Sequence, residues 1–319
     1  MKEESLLLLS DLQKLINQVV LIDYTIIILG VSIIFFTEIL LVGSGTIACD
    51  CLNEIVRYVN GSNIHVMEIV ESSPSFLKEQ CKKNSVEYIP CLRENILEHF
   101  MRYTKEGEIL IISANNEYIF PAELVKQENV TIINFHYSLL PAYRGVNIPT
   151  WVIYNEEKYT GVTWHYATDQ IDHGKIIAQK EIETTESTTA FDIVRKGMKI
   201  GNILFVDFIK ELLNGEKMGY DVEYSVDSKL FRKSILPQGG VLDLTDTAHN
   251  IQKLLRAYDY HGSNVIPPLK TKIKDQLWQV VRYEIREQKD TELPEMDFME
   301  NDLIVNKDGG KIHIVLRKV

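Results

Sequence analysis

The run TEILLVGSGTIACDCLNEIVRYV, residues 37–59, passes from an apolar strand pattern through Gly43, Gly45 and Ala48 into a helical pattern. Ile47, Leu52, Ile55, Val56 and Val59 share one side of that helix. Strand, glycine turn and helix in this order open many doubly wound sheets, and a GxGxxA spacing turns the backbone tightly and can set helix amides against a phosphate. Alone, the spacing leaves two readings open, a dinucleotide fingerprint and a tight turn with nothing bound. The fingerprint wants an acid at the end of the second strand, and NIHVMEIVESS offers Glu71, which sits late for it. Further strand patterns follow at residues 108–114 (EILIISA) and 130–136 (VTIINFH), with helical ILEHFMRYT before the first and PAELVKQ between them. Such alternation predicts an α/β fold with a Rossmann-like, mostly parallel sheet and helices on both faces.

Ligands of such sheets gather at the carboxyl ends of the strands. Two features lie there: the turn SANNEYIFP, residues 113–121, and the polar pair Asn134 and His136 in NFHYSLLPAYRG. Side chains alternate along a strand, so these two share a face while Phe135 and Tyr137 take the other. A buried amide and imidazole cost free energy unless they are paired, so they need a structural partner or a chemical role. Downstream, GVTWHYA and KIIAQKEI predict hairpin strands around an acidic turn with Asp169, Asp172 and Gly174.

Composition narrows the function. With 319 residues, 45% hydrophobic and 25% charged, the chain has room for one large or two modest domains. A net charge of -11 disfavours affinity built on neutralising nucleic-acid phosphates and favours small-molecule chemistry. Cys49, Cys51, Cys81 and Cys91 fit neither a paired CxxC zinc pattern nor a small disulfide scaffold, which points to a reducing, cytoplasmic setting. The run VVLIDYTIIILGVSIIFF, residues 19–36, has the length of a marginal membrane span with Asp23 against it. The preferred reading is a helix over EESLLLLSDLQKLINQ followed by one or two buried strands, with no membrane partner. Residues 1–36 thus form an extension without a functional account, 37–215 the main domain and 216–319 a second module.

NFHYSLLPAYRG, TGVTWH and IDHGKIIAQ, in that order, resemble the folate-dependent formyltransferases, a family that includes glycinamide ribonucleotide, methionyl-tRNA and nucleotide-linked aminosugar enzymes. The resemblance is strongest over residues 38–215. It implies a site formed by Asn134, His136 and Asp172, and a loop binding the formyl donor, 10-formyltetrahydrofolate, through Asn115, Asn116, Glu117, Tyr118, Ile119 and Phe120. It further implies an acceptor site touching Ser138, Leu139, Leu140, Arg144 and Gly145. Two departures stand out: SANNEYIFP replaces a common tyrosine-glycine pair, and 36 residues precede the usual start.

The residue types suit the chemistry. Transfer of a formyl group to an amine passes through a tetrahedral intermediate whose oxygen carries charge, which a preorganised amide or imidazolium donor stabilises. A carboxylate beside an imidazole can accept the proton of the attacking amine and hold the charged ring. No metal and no covalent nucleophile are required. His165, inside a strand pattern, reads as a satisfied core or supporting group rather than a metal ligand.

In the second module, TDTAHNIQKLLRAYDY predicts a helix capped at Thr245 or Asp246 with Ile251, Leu254, Leu255 and Tyr258 on one face. LWQVVRYEI and LIVNKDGGKIHIVLRKV predict strands, the latter a hairpin about Asp308, Gly309 and Gly310. This smaller β-rich, barrel-like tail resembles that of the longer formyltransferases. LPQGGVLDL with LLRAYDY resembles a segment bordering the acceptor, which makes Arg256 and Tyr258 candidates for acceptor contact. The preferred acceptor is the amine of a nucleotide-linked aminosugar, with methionyl-tRNA or a carrier-bound aminoacyl group as the alternative and an NAD(P)-binding oxidoreductase as the reading from another class. Because the recognisable domain starts near Glu38, deletion of residues 1–34 is expected to leave soluble, active protein. Soluble yield and turnover of the truncated chain test this, and insolubility would show the segment to be structural core.

Overall fold

A computed structural model of the chain describes residues 35–69, 75–105, 107–224, 228–263, 265–287 and 295–319. Most of the N-terminal extension and Glu71 lie outside these residues. Strands β1 (Glu38–Gly43), β2 (Ile64–Ile69), β3 (Glu87–Cys91), β4 (Ile109–Ala114) and β5 (Val130–His136) alternate with helices α1 (Gly45–Ile55), α2 (Phe76–Asn84), α3 (Ile96–Tyr103) and α4 (Ala122–Val125). After a two-residue strand β6 (Arg144–Gly145) come α5 (Ile148–Tyr154), β7 (Tyr159–Tyr166), β8 (Ile176–Glu183) and the long α6 (Ala190–Leu213). The main sheet runs β3-β2-β1-β4-β5-β7-β8. Neighbours from β3 to β5 pair parallel, and β7 and β8 close the edge as an antiparallel hairpin.

Both faces of this sheet are covered, as its continuous apolar strands require. Ile39, Leu41, Ile112, Phe135 and Trp164 pack with Ile47 and Leu52 of α1, Leu77 of α2 and Phe205 and Ile209 of α6. Leu40, Val42, Ile111 and Ile132 face Ile96 and Phe100 of α3 and Leu124 of α4. Helix α6 starts on a capping box in which the Thr189 hydroxyl accepts from the Asp192 amide and the Asp192 carboxylate accepts from the Thr189 amide. It lies close to the sheet because it presents glycine: a methyl at Gly201 would sit 2.3 Å from the Phe135 ring, and the Gly201 carbonyl accepts the Trp164 indole N–H at 2.8 Å.

The sheet order reverses beside β1, which pairs with β2 on one side and β4 on the other. There the GxGxxA turn has a steric cause. Gly45 has φ +69°, and a methyl at Gly43 would meet the Ala114 carbonyl oxygen at 1.9 Å. Ser44 precedes α1 but does not cap it, since its hydroxyl donates instead to the Asn115 carbonyl at 3.2 Å.

The chain then crosses the carboxyl edge of the sheet through β9 (Leu230–Phe231), which pairs with β6, and enters the second module. That module holds β10 (Val241–Leu242), α7 (Ala248–Ala257), β11 (Lys270–Ile273), β12 (Gln276–Glu287), β13 (Met296–Met299), β14 (Asp302–Lys307) and β15 (Gly310–Lys318) in a separate six-stranded sheet. Ile251, Leu254 and Leu255 of α7 pack on Leu303, Val305, Ile312 and Ile314. The cap of α7 is Thr247, whose hydroxyl accepts from the Asn250 amide, rather than Thr245 or Asp246. Asp246 serves one step away, accepting from the Asn250 side chain at 2.7 Å. Asp308 and Gly309 take left-handed conformations between β14 and β15, as a tight hairpin turn requires. No helix among the described residues is long and apolar enough to cross a membrane.

The Gly43 contact is with backbone, which cannot rotate away. Gly43→Ala is therefore expected to lose at least about 1–3 kcal/mol of stability. The loss should appear as a lower urea midpoint at unchanged slope, and a wild-type midpoint would show that β1 and β4 separate freely there.

Candidate active site

Strand register assembles the site. Ser113 of β4 lies opposite Asn134 of β5, and Asn134 lies opposite His165 of β7, so three polar residues form one row across three strands. Their hydrogen bonds run in one direction. The Ser113 hydroxyl donates to Asn134 Oδ1 at 2.7 Å, and Asn134 Nδ2 and His165 Nε2 stand 3.1 Å apart. His165 Nδ1 lies 2.9 Å from the Tyr166 carbonyl, which can only accept, so Nδ1 carries the proton and Nε2 accepts from the Asn134 amide. The carboxamide is thereby oriented, with one amide hydrogen used and the second left to donate outward. Asn134 as a whole is half-buried.

His136, two residues on and on the same face, is buried. Its Nε2–H donates to the Tyr143 carbonyl at 2.8 Å, while Nδ1 stands 3.6 Å from Asp172 Oδ2. Burial pulls the imidazole below its ordinary value against the opposing pull of Asp172 and the Tyr143 carbonyl, so the ring rests neutral at pH 7. Asp172 behaves differently. Burial alone would raise its carboxyl, but the positive charge that His136 and His165 can take up, together with the Gly145 amide, which donates to Oδ2 at 2.7 Å, holds it well below the usual carboxylate range. His165 Nε2 is also 3.6 Å from Asp172 Oδ1, so one ionised carboxylate lies within reach of both rings.

Local geometry explains the DHG motif. A methyl at Gly174 would sit 1.7 Å from the Tyr166 carbonyl oxygen, so only glycine lets the turn fold back onto β7. Asp172 takes a left-handed φ of 48°, which Asp tolerates better than most residues. The partner loop is equally constrained. Gly145 has φ +100°, and a methyl there would meet the Phe231 carbonyl at 2.0 Å.

Several residues expected at the acceptor site act inside the protein instead. Ser138 is buried with its hydroxyl on the Ala142 carbonyl, Leu140 is buried, and Leu139 packs against Gly161. Arg144 grips the Ile171 carbonyl through Nε and Nη2, at 2.8 and 2.6 Å, and so fixes the Asp172 loop. Arg256 is buried and donates to the Thr188 carbonyl at 3.1 Å, and the Tyr258 hydroxyl bonds the Pro237 carbonyl at 2.8 Å. Arg256, in the last turn of α7, and Tyr258, just past its end, thus tie this helix to Thr188 and Pro237. His173 stacks on Tyr224 with ring centroids 3.8 Å apart.

The loop expected to bind folate follows β4 at the same edge. Asn115 has φ +57° and its side chain donates to Ser44 Oγ, while Asn116 Oδ1 accepts from the Tyr118 amide. Tyr118 and Phe120 pack on Phe100, which leaves Ile119 exposed as an apolar platform. A flat heterocycle fits such a platform, with amide and hydroxyl groups beside it for orientation. Glu117 is held by Lys233 at 2.6 Å. Ser113 was not singled out from sequence. Its signal there is a lone hydroxyl in the otherwise apolar strand ILIISA. The Tyr143 carbonyl and Gly145 amide are backbone groups that no side-chain pattern displays.

Residues 73–209 match the model of the family described as Formyl transferase. A GDP-perosamine N-formyltransferase of Brucella melitensis biotype 1 is 29% identical over 180 residues, covering 55% of this chain and 65% of that protein. A methionyl-tRNA formyltransferase of Clostridioides difficile is 25% identical over 298 residues, covering 87% and 88%. The crystal structure of an N-formyltransferase from Helicobacter canadensis, in complex with folinic acid and dTDP-3-aminofucose, superposes with a TM-score of 0.66 at 20% identity, over 88% of this chain and 99% of that one. The chain thus spans just under two thirds of the Brucella relative, and another match extends over only 22% of its counterpart.

A carboxylate whose folded value is depressed stabilises the fold above its unfolded value, about pH 3.9, and this contribution is lost as pH falls toward the folded value. Asp172→Asn is therefore expected to cost about 1–3 kcal/mol at pH 7, with the gap to wild type narrowing below about pH 4. Urea denaturation at both pH values measures it, and a gap that widens in acid would contradict the assignment.

Proposed function

From the premise that this chain carries a domain of the formyl transferase family, we propose that it transfers a formyl group from 10-formyltetrahydrofolate to a primary amine. The observation that carries this reading is the oriented Asn134 amide beside the His136–Asp172 couple. The folate substrate supplies a formyl carbon on nitrogen, and the exposed Ile119 with the loop 115–120 is where its ring system would rest. As the amine adds to that carbon, Asn134 Nδ2 donates its second hydrogen to the developing oxyanion. The His136–Asp172 couple takes the proton that the amine sheds. His136 suits this because its resting state is neutral, whereas its protonated state has an acceptor for each N–H: the Tyr143 carbonyl at Nε2 and Asp172 at Nδ1. The same proton then passes to the folate nitrogen as the old carbon–nitrogen bond breaks, so the enzyme ends as it began.

The acceptor we infer is an aminosugar carried on a nucleotide. The Brucella relative and the Helicobacter structure, by the substrates they name, support this choice, as does the acidity of the chain. Methionyl-tRNA is the second reading, favoured by the long alignment that includes the C-terminal module. Tetrahydrofolate release from 10-formyltetrahydrofolate, screened against aminosugar nucleotides, tRNA and amino acids, decides among them. Absence of release with every amine would overturn the proposal.

His136→Ala and Asp172→Ala are expected to lose on the order of a hundredfold or more in turnover while remaining folded by circular dichroism. Asn134→Asp replaces a donor with a carboxylate facing the oxyanion, so it should be worse than Asn134→Ala, with roughly 2.7–4 kcal/mol added to the barrier as a floor. Turnover should fall more than apparent folate affinity, because the bond strengthens in the transition state. Near-wild-type turnover in both Asn134 variants would make that residue a ground-state contact.

A further inference from the structure

The turn that carries Asp172 is also held by a segment to which the transfer chemistry assigns no role. After α6 the chain returns along the start of β8, where Ile176 and Tyr220 exchange backbone hydrogen bonds at 3.0 and 2.9 Å. Four residues on stands Tyr224, half-buried, whose hydroxyl donates to the Gly174 carbonyl at 2.9 Å. Its ring stacks on His173 with centroids 3.8 Å apart and planes 24° apart, and the Arg144 guanidinium lies 5.7 Å from the same ring.

These contacts bracket one carboxylate. On the N-terminal side of Asp172, Arg144 holds the Ile171 carbonyl. On the C-terminal side, Tyr224 holds the ring of His173 and the carbonyl of Gly174. Asp172 between them takes its left-handed φ of 48°, a conformation that persists only where the surroundings fix it. The demand on its position is strict, because Oδ2 stands 3.6 Å from His136 Nδ1 while Oδ1 stands 3.6 Å from His165 Nε2. Displacement of a reacting group by about 1 Å can cost on the order of a hundredfold in rate. A tyrosine suits this hold, since its ring packs on the imidazole while its hydroxyl reaches a backbone carbonyl from the same rigid plane.

We propose that Tyr224 is a positioning residue for the transfer: clamped on His173 and Gly174, it fixes the turn that presents Asp172 to His136. The inference rests on the formyl transfer proposed above, and its test separates the two by reading the His136 ring without any transfer. That imidazole titrates under burial, which lowers it, under Asp172 and the Tyr143 carbonyl, which raise it, and under His165 and Arg144, which lower it. Withdrawal of Asp172 removes a raising influence, so the ring takes up its proton at a lower pH. The acid limb of turnover, where a protonated His136 can no longer accept from the amine, moves down with it.

Tyr224→Ala, Tyr224→Phe and His173→Ala are compared with wild type by steady-state kinetics across pH, by circular dichroism and by proton NMR titration of the His136 ring, assigned by its absence from His136→Ala. In Tyr224→Ala, kcat should fall at least about tenfold while the KM of folate and of amine stay near wild type. The His136 titration and the acid limb of kcat should both move to lower pH. Tyr224→Phe keeps the stack and should recover most of the loss. His173→Ala removes the other ring of the stack, so it should move both readouts in the same direction, and it replaces Tyr224→Ala should that variant lack the wild-type dichroism. Wild-type kcat in the folded variants overturns the proposal, as does a loss of kcat with the His136 titration unmoved, which would make Tyr224 a structural contact only. A His136 titration displaced in Tyr224→Ala, with no tetrahydrofolate released by wild type, upholds the hold on Asp172 and removes the reaction.

Discussion

The carboxamide of Asn134 is held by a hydroxyl on one side and an imidazole on the other, and the site depends on that row. Each member occupies a sheet position where a side chain must point to the same face, so strand pairing alone brings Ser113, Asn134 and His165 together. A polar row in a buried sheet would be costly if any member lacked its partner. Here the direction of donation is forced from the Tyr166 carbonyl back to the Ser113 hydroxyl. The chain thereby fixes which end of the amide is nitrogen before any substrate arrives. Preorganisation of this kind, with the reorientation already complete, is what makes a donor effective against developing charge.

Steric necessity does comparable work around this row. Gly43 brings the end of β1 against Ala114, Gly174 returns the Asp172 turn to Tyr166, and Gly145 lets Phe231 cross its loop. In each case the atom that a methyl would strike is a backbone carbonyl oxygen, so the neighbour has no rotamer with which to yield. The loops around the site are thus positioned by close backbone approach more than by side-chain packing. Arg144 adds a fixed clasp by chelating the Ile171 carbonyl, one residue from the carboxylate that matters.

Much of this was legible in the sequence because it depends on short-range rules. The GxGxxA turn, the alternation that sets Asn134 and His136 on one face, and the Asp308–Gly309 hairpin follow from local backbone and side-chain periodicity. What escaped is what depends on register. Ser113 becomes informative only when β4 is laid against β5, and the supporting role read for His165 acquires its partner, Asn134, only when β7 runs antiparallel to β5. Arg144, Arg256 and Tyr258 carry polar heads that suit a ligand as well as a carbonyl, and sequence cannot tell which they meet. In the fold they engage the carbonyls of Ile171, Thr188 and Pro237. The Thr247 cap displaced Thr245 and Asp246 for a smaller reason, since three capping residues within three positions leave the first turn undecided until packing sets it.

The pairing of Glu117 with Lys233 has a consequence of another kind. These residues stand 116 positions apart, one on the loop that follows β4 and the other two residues beyond β9. Both side chains are exposed, so as a source of stability the pair is worth little and salt weakens it. Its part is to join the loop after β4 to the segment after β9, which lie far apart in the chain. A movement of either segment that breaks the pair therefore frees the other, and the exposure of both charges makes that step sensitive to ionic strength.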